Sequence, residues 1–316
     1  MFSIVPIGDV RWVSSVMGLG PLYRDLHFDQ RMLAPYIVAF KWKAYLALTT
    51  SETGYVLQPV LVTPEGELRH SYNFGGPMAS SDLVNAKEHI DGLNEWAGKE
   101  GLKSQYCTLV PFLHEKQLQL LKNTDIIPNY QKESVIVDLN DQKVRGTTRR
   151  IANKAKSSGV NVRSHPLTKL DDFLKIYEAT MERNDAKEHW RLPPSWFEAF
   201  FRFVKPTLLI ASITEDKELK TREDFDGVPE SACLIAYSQQ YPTAYYHFAG
   251  SFNTQPKMGA NHLMVMAACE YVKSLGIRYL FLGGGRTNSD DDALLLFKSG
   301  FSTKKLPVYT YQMMYT

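Results

Sequence analysis

One ordered run of patterns in the second half of the chain constrains the fold more than any other feature. Segments 232–238 and 244–250 are rich in β-branched and aromatic residues, which is typical of adjacent strands. A polar turn then leads into a helical pattern over 259–275, and a buried strand follows it and ends in three glycines, 283–285. Strand and helix patterns also alternate in the first half. We therefore predict an α/β (α+β) fold of alternating strands and helices.

The composition excludes several classes of protein. The chain has 316 residues, of which 44% are hydrophobic and 22% charged, as in globular proteins. The net charge of +2 does not favour DNA as a partner. Three widely spaced cysteines fit neither a zinc site nor a disulfide framework, so we expect no metal and a reducing compartment. The beginning of the sequence does not resemble a signal peptide, and no segment has the apolar length of a transmembrane helix, so we expect a cytoplasmic protein.

The start of the helix at 259–275 is the first candidate binding site. The segment comprises Lys257, Met258, Gly259, Ala260 and Asn261. A helix N-terminus offers unpaired N–H groups and a partial positive charge, and a glycine lets a phosphate come close to the backbone. These residues predict a corner that binds a diphosphate. An ordinary helix start after a loop explains the same residues, so both interpretations stay open at this point.

Segment 143–163 joins the two halves and carries seven basic residues and no acidic one. We predict a helix here, with Thr147 or Thr148 as N-cap and Gly159 as its stop. The charges form either a solvated face that links two domains or a face that binds a phosphate-bearing substrate or RNA. Aromatic residues are not interleaved with the charges, which argues against binding of single-stranded nucleic acid by base stacking.

The order of these elements resembles that of the GNAT acyltransferases. The helix start is similar to their Gln/Arg-x-x-Gly-x-Gly/Ala loop, with Gln255 or Pro256 at the first position. Further segments resemble the FemABX-like branch of that superfamily, which contains the peptidoglycan-bridge aminoacyltransferases and their relatives. The segments are "SYNFGGPMAS" from 71, "RRIANKAKSSGVNV" from 149, "YEATMERN" from 177, "YYHFAGS" from 245, "YLFLGGG" from 279 and "DDALLLFKSGFS" from 291. The resemblance covers nearly the whole chain.

This resemblance implies two tandem GNAT-like domains, which we place at 1–158, including the basic helix, and at 159–316. Each is expected to hold a mixed, mostly antiparallel sheet flanked by helices, with the reaction in the second domain. The implied activity is transfer of an acyl group from acyl-CoA, such as acetyl-CoA, to an amine of a small metabolite, a sugar or a cell-wall precursor. Aminoacyl-tRNA is the alternative donor, but the chain lacks the long coiled-coil insertion of the tRNA-using Fem ligases. An inactive nucleotide- or glycan-binding module is a second alternative, because fold alone does not determine function.

Acyl transfer by direct attack requires a deprotonated amine, its alignment and stabilisation of an oxyanion. The resemblance places the Phe297–Lys298 pair at the reaction channel, which implies a catalytic Lys298; a surface lysine near a helix C-terminus is the alternative. His247 is a candidate general base because histidine titrates near neutrality, although a structural histidine fits as well. Strand alternation predicts that Tyr245, His247 and Ala249 share one face.

The remaining candidates are two groups of binding residues. Gly283 and Gly284 allow a donor to lie against the backbone, and a tight turn explains them as well. The resemblance alone implies Tyr177 and Arg183 as acceptor contacts; by themselves they fit ordinary helix-surface positions. The further substrate-binding candidates are Tyr245, Arg286, Phe297, Gly75 and Gly76. The acidic run at 290–292 lacks the spacing of a calcium loop and is predicted to cap the following helix.

Overall fold

The computed structural model describes residues 1–213, 227–254, 258–287, 289 and 291–315. Its strands are β1 (Phe2–Pro6), β2 (Lys43–Ser51), β3 (Gly54–Val62), β4 (Glu67–Arg69), β5 (Phe74–Gly75), β6 (Met78–Ala79), β7 (Ser104–Leu109), β8 (Asn129–Asp138), β9 (Val160–His165), β10 (Thr207–Ile213), β11 (Val228–Ala236), β12 (Thr243–Ser251), β13 (Tyr279–Gly284) and β14 (Lys305–Met314). Its α-helices are α1 (Val10–Gly18), α2 (Ala34–Phe40), α3 (Ala86–Lys99), α4 (His114–Leu121), α5 (Gly146–Ser157), α6 (Leu170–Arg183), α7 (Pro194–Phe203), α8 (Ala260–Ser274) and α9 (Ala293–Lys298).

The chain divides into two compact units. The first comprises Met1–Ser134, Gln240–Pro242 and Leu306–Thr316, and the second comprises Val135–Gln239 and Thr243–Lys305. These bounds differ from the division at residue 158 that the sequence predicts. Part of the difference arises because α5 packs against the start of α8, where Ile151 and Ala155 lie next to Gly259. The basic helix therefore belongs to the second unit by its contacts.

The first unit is built on strands in the order β1, β2, β3, β4, β7 and β14. Neighbouring strands are antiparallel except for β4 and β7, which are parallel. Helix α3 packs Leu93 and Ala97 against Ala47, Val60 and Leu68 of the sheet. The spacing of these two α3 residues places them on one helix face, which explains why the helix buries this stripe.

The second unit has strands in the order β13, β12, β11, β10 and β9. Only the pairing of β12 with β13 is parallel among these five strands. Helix α8 buries Met264, Val265 and Ala268 in a core that includes Cys233 and Ile235 of β11. Both units thus have mixed, mostly antiparallel sheets with helices packed on them, as the sequence predicts, and the predicted fold class is confirmed.

The N-terminus of helix α5 differs from the prediction, whereas its C-terminus agrees with it. Its N-cap is Arg145, and no side chain caps it, so the prediction of a threonine cap is wrong. Thr148 is buried instead and lies where a Cβ on Gly300 would stand. Gly159 follows the helix with φ of 97°, in the region that favours glycine, so its role as the helix stop is confirmed.

Among the described residues, no helix combines the length and the apolar character required to cross a bilayer.

Candidate active site

The predicted diphosphate corner is the start of α8. Gly259 is the N-cap, with φ of 73° and no side-chain cap, and α8 begins at Ala260. A Cβ on Gly259 would lie 2.6 Å from Ile151 Cγ2, so glycine is needed both for the left-handed backbone and for the close approach of α5. The first-turn N–H groups of α8 are thus left without a capping side chain. Lys257 lies outside the described residues.

A cavity of about 130 Å³ adjoins this helix start. It is lined by Glu230, Ser251, Asn253, Gly259, Ala260, Asn261, His262 and Phe297. The structure therefore brings three of the predicted corner residues together with the predicted channel residue Phe297. Met258, the residue before Gly259, is half-buried and packs against the core below α8.

Four residues that line the cavity were missed by the sequence analysis: Glu230, Ser251, Asn253 and His262. Position in the chain offers a signal only for His262, which stands three residues after Gly259 and therefore in the first turn of α8. Glu230 lies near the beginning of β11 and is only 4% exposed.

The polar groups that line the cavity include a carboxylate, Glu230, and an imidazole, His262. Thr254 Oγ1 donates a hydrogen bond to Glu230 Oε2 at 2.5 Å. The ring of His262 stands edge-on to Phe297 with 4.9 Å between centroids, and burial lowers its pKa from the ordinary 6.5. A neutral imidazole is therefore favoured at neutral pH. Asn261 Nδ2 donates to Ser251 Oγ at 3.4 Å, which joins the α8 start to the end of β12.

Lys298, at the C-terminus of α9, reaches back to the end of β13. Its Nζ donates to the carbonyl oxygen of Gly284 at 2.8 Å. Gly283 has φ of 80°, and a Cβ there would lie 3.3 Å from Lys298 Nζ. The structure thus brings Lys298 together with Gly283 and Gly284. The lysine is half-buried, so it differs from the exposed surface lysine that was the alternative.

Strands β12 and β13 are the elements that position these two groups. They pair in parallel at three positions, the last of which joins Tyr245 to Phe281. Beyond this register β12 continues to Ser251, which lines the cavity, and β13 continues to Gly284, which holds Lys298. The ends of the two strands therefore carry separate parts of the candidate site.

His247 lies at an irregularity of β12. Leu234 pairs with Phe248 and Ile235 pairs with Tyr246, so His247 is an extra residue in the strand. The prediction that His247 and Ala249 share a face is wrong, because the irregularity breaks the alternation. The His247 ring stacks on the ring of Phe200 in α7, with 5.5 Å between the ring centroids, whereas Ala249 packs against the core that contains α8. Its role as general base stays a prediction.

Two predicted substrate-binding residues are buried in the second unit. Tyr177 is 6% exposed and its hydroxyl donates to the carbonyl of Trp190 at 2.5 Å. Tyr245 is 2% exposed and its ring stands edge-on to Phe281. Both side chains pack among other aromatic rings, and their roles in substrate binding stay predictions.

The two predicted arginines hold loops. Arg183 Nη1 donates to the carbonyl oxygen of Ser251 at 2.7 Å. Arg286 Nη2 donates to Asn184 Oδ1 at 2.9 Å. The backbone N–H of Arg286 donates to Asp292, whose carboxylate also caps α9. Burial opposes ionisation of Asp292, but these hydrogen bonds outweigh it and lower its pKa to about 2, so the cap prediction is confirmed for this residue.

Gly75 and Gly76 belong to the first unit. Gln117 Nε2 donates to the Gly75 carbonyl at 2.7 Å, and a Cβ on Gly75 would strike the ring of His70. Gly76 has φ of 92°, and a Cβ there would lie 2.9 Å from Gln117 Nε2. Buried side chains therefore occupy the space beside both glycines. In the described part of the chain, no group of three or more His, Cys, Asp or Glu residues is arranged to hold a metal ion.

No protein-family model matches the chain, and no curated protein matches it. Solved structures do match. The crystal structure of FemX is 14% identical, with a TM-score of 0.68 over 98% of this chain and 97% of that chain. L-PGS from Bacillus licheniformis is 14% identical, with a TM-score of 0.59 over 84% and 83% of the two chains.

A tandem GNAT protein from the clavulanic acid biosynthesis pathway is 12% identical, with a TM-score of 0.57 over 100% of this chain and 99% of that chain. At these identities the likeness concerns the fold. The matches extend over both units and agree with the element order read from the sequence. The chain therefore has a FemABX/GNAT-like fold made of two tandem GNAT-like units.

Proposed function

We propose that the protein is an N-acyltransferase that moves an acyl group from acyl-CoA to an amine by direct attack in a ternary complex. The observation that carries this proposal is that the pairing of β12 with β13 ends at Tyr245 and Phe281 while both strands continue. One strand end lies at the uncapped start of α8 and the other holds Lys298. An extended thioester between these ends would have its anionic part at the helix start and its carbonyl toward the lysine.

The chemistry assigned to Lys298 is electrostatic. As the amine attacks the thioester carbonyl, negative charge develops on the carbonyl oxygen, and a preorganised ammonium group stabilises it. The hydrogen bond to the Gly284 carbonyl orients the Lys298 Nζ before the substrate arrives. Gly283 adds to this arrangement because its missing side chain leaves room next to the Nζ atom.

Direct transfer fits the cysteines better than a covalent intermediate. Cys269 lies within α8 and is 1% exposed, and burial raises the pKa of its thiol to about 12. Burial also raises the pKa values of Cys107 and Cys233. Since the thiolate is the nucleophilic form, none of these thiols is activated for acyl transfer. Buried free thiols also support the proposal of a cytoplasmic protein, which cell fractionation would test.

The second candidate donor is an aminoacyl-tRNA, and the observation that favours it is the exposed basic face of α5. The face consists of Arg145, Arg149, Arg150, Lys154 and Lys156, which are all exposed. On another side of α5, Ile151 packs against Gly259. The basic helix therefore lies next to the start of α8. A polyanion bound there would show a steep loss of affinity with salt.

A donor screen tests the proposal. Purified protein is incubated with acetyl-CoA, longer acyl-CoAs or aminoacyl-tRNAs and with sets of amino sugars, small amines and cell-wall precursors, and the mass of each amine is measured. Acylation with a CoA thioester supports the proposal, and transfer only from tRNA favours the second donor. Binding of nucleotides or glycans without transfer from any donor would favour the inactive module and overturn the enzyme.

A further inference from the structure

Asp292 forms more hydrogen bonds than its role as the N-cap of α9 requires. Its Oδ1 accepts from the backbone N–H groups of Leu294 and Leu295, each at 2.9 Å, which is the ordinary pattern of an N-cap. Its Oδ2 instead accepts from two residues that precede α9. These bonds come from the backbone N–H groups of Arg286 and Thr287, each at 2.9 Å, and from the Thr287 hydroxyl at 3.1 Å. A helix cap does not explain the bonds of the second oxygen.

Asp9, the N-cap of α1 in the first unit, shows the ordinary case. Its carboxylate accepts from the backbone N–H of Arg11 at 2.8 Å and from the Arg11 guanidinium, so these bonds stay within its own helix. Asp292 is 8% exposed and joins its helix to the residues that follow β13. Since its pKa is about 2, the carboxylate that accepts these bonds is ionised at neutral pH.

The end of β13 is shaped so that this carboxylate can come close. A Cβ on Gly285 would lie 2.5 Å from Asp292 Oδ1 and 2.6 Å from its Cγ, so a side chain at this position would displace the carboxylate. The residue before it, Gly284, is the one whose carbonyl accepts the hydrogen bond from the Lys298 ammonium. Asp292 therefore fixes the backbone two residues after the carbonyl that holds the lysine.

The same carboxylate fixes the helix that carries Lys298. Helix α9 has only six residues, and Asp292 caps its first turn. Lys298 follows Asp292 by six residues, which is about 9 Å along a helix, and its side chain reaches the Gly284 carbonyl at 2.8 Å. A closed ring results, which runs from Gly284 to the backbone N–H of Arg286, through Asp292 and α9, and back through the Lys298 ammonium.

We propose that Asp292 is a positioning residue that holds the Lys298 ammonium at the end of β13, by fixing both the carbonyl that binds the ammonium and the helix that carries it. The inference rests on the proposed role of Lys298 in acyl transfer and deepens it. Lysine has a flexible side chain of four carbons, and a charge stabilises a developing oxyanion best when it is already in place. Asp292 acts through Lys298 and is not a catalytic residue itself.

The experiment measures the reactivity of lysines without turnover. Wild type, Asp292→Asn and Asp9→Asn are treated with N-acetoxysuccinimide at pH 8. Peptide mass spectrometry then gives the acetylation rates of Lys298 and of the exposed Lys273. Asparagine keeps an oxygen for the cap of α9, but its amide NH2 cannot accept the three bonds that Oδ2 accepts. Asp9→Asn removes the same charge from a helix N-cap of the first unit and is the matched control.

Lys298 is expected to react about tenfold or more faster in Asp292→Asn than in the wild type or Asp9→Asn, because its ammonium leaves the Gly284 carbonyl more often. The rate at Lys273 should be the same in all three proteins. An unchanged rate at Lys298 overturns the inference. An equal rise at Lys273 also overturns it, since that result indicates general unfolding.

Thr287→Val is the second variant, for the case that Asp292→Asn does not fold. It removes only the hydroxyl that donates to Asp292 Oδ2, at an exposed position. The loss of this bond is expected to raise the acetylation rate of Lys298 about two- to tenfold. An unchanged rate in this variant contradicts the inference.

Kinetics with an active donor separate positioning from stability. Asp292→Asn should lower kcat about tenfold or more and leave the KM for acyl-CoA nearly unchanged. In a Lys298→Ala background it should cause no further loss of kcat, since the group that it positions is then absent. Independent losses in the double variant overturn the positioning role. Acetylation does not depend on turnover, so a protein whose Lys298 reacts faster in Asp292→Asn but that transfers no acyl group refutes the proposed function and not the coupling.

Discussion

The glycines of the first unit and those of the second unit look alike in sequence and differ in what lies beside them. Gly75 and Gly76 border buried side chains, because Gln117 bonds the Gly75 carbonyl and His70 fills the adjacent space. Gly283 instead borders the amine of Lys298. A glycine lets something approach the backbone, and the tertiary structure decides whether that is a core side chain or a group with chemistry to perform.

The polar interior of the first unit reinforces this contrast. His70 Nδ1 donates to the Pro59 carbonyl at 2.9 Å, and its Nε2 accepts from Gln105 Nε2 at 3.0 Å. Tyr315 donates to Gln105 Oε1 at 2.8 Å, which satisfies the other end of the amide. Fully bonded buried groups of this kind specify one packing. We therefore expect changes in the first unit to alter stability and changes near the second unit's cavity to alter binding and rate.

The largest expected effect is on the rate. Lys298→Ala removes the ammonium group from the end of β13 and is expected to lower kcat for acyl transfer by about 10²–10³-fold. Gln117→Ala is the comparison from the first unit, and it should lower the free energy of unfolding by about 1–3 kcal/mol while the folded protein keeps its kcat. Steady-state kinetics and urea unfolding measure both variants. Unchanged kcat in Lys298→Ala would remove the catalytic assignment.

The next effect is a dependence of stability on pH in the first unit. Burial, together with the charge of Arg69, lowers the pKa of His70 from 6.5 to about 4, against the opposing bond to Pro59. Between pH 6.5 and 4, His70 is therefore protonated in the unfolded chain but neutral in the folded protein. The free energy of unfolding is highest above pH 6.5 and decreases as the pH falls toward 4. The loss amounts to about 3 kcal/mol.

Urea unfolding at pH 7, 5.5 and 4.5 tests this dependence. His70→Gln removes the titrating group, so its unfolding free energy should fall less steeply with decreasing pH than that of the wild type. If the unfolding free energies of the two proteins decrease equally with pH, the pKa of His70 is not lowered by burial.

The smallest effect separates the two roles of Gly259. Gly259 and Gly276 have nearly equal φ, 73° and 75°, but a Cβ on Gly276 meets no atom within 4 Å. Gly276→Ala should therefore cost only the left-handed strain, about 1 kcal/mol, and Gly259→Ala should cost about 1–3 kcal/mol more through Ile151. Ile151→Ala in the Gly259→Ala background should recover part of the loss in thermal unfolding. Equal costs at the two glycines would deny the close packing of α5 on α8.

The order of elements in the second unit was predictable because each pattern is local. The strand predicted at 244–250 and the helix predicted at 259–275 both agree with the structure to within one residue at each end. Alternation and helical spacing follow from the backbone period, and a glycine marks a helix end by its own conformational freedom. The confirmed fold follows from these signals and from the family resemblance.

The composition of the candidate site was only partly predictable. Gly259, Ala260, Asn261 and Phe297 were predicted and do line the cavity. Glu230 was missed because it stands far before Gly259 in the chain and enters the site through the pairing of β11 with β12. His247 was wrongly grouped with Ala249 on one strand face, because an extra residue in a strand leaves no mark in a single sequence.

The sequence by itself determined the local elements: where strands and helices run, where α8 begins, and which residues are apolar enough to form cores. Tertiary structure decided what those elements bring together, because contacts between distant segments depend on strand pairing and helix packing. It placed α5 against Gly259 and buried side chains against Gly75 and Gly76. It also placed the buried carboxylate of Glu230 beside the start of α8. Long-range contacts of this kind leave no periodic pattern in the sequence, so the residues that meet at the site could be identified only from the tertiary structure.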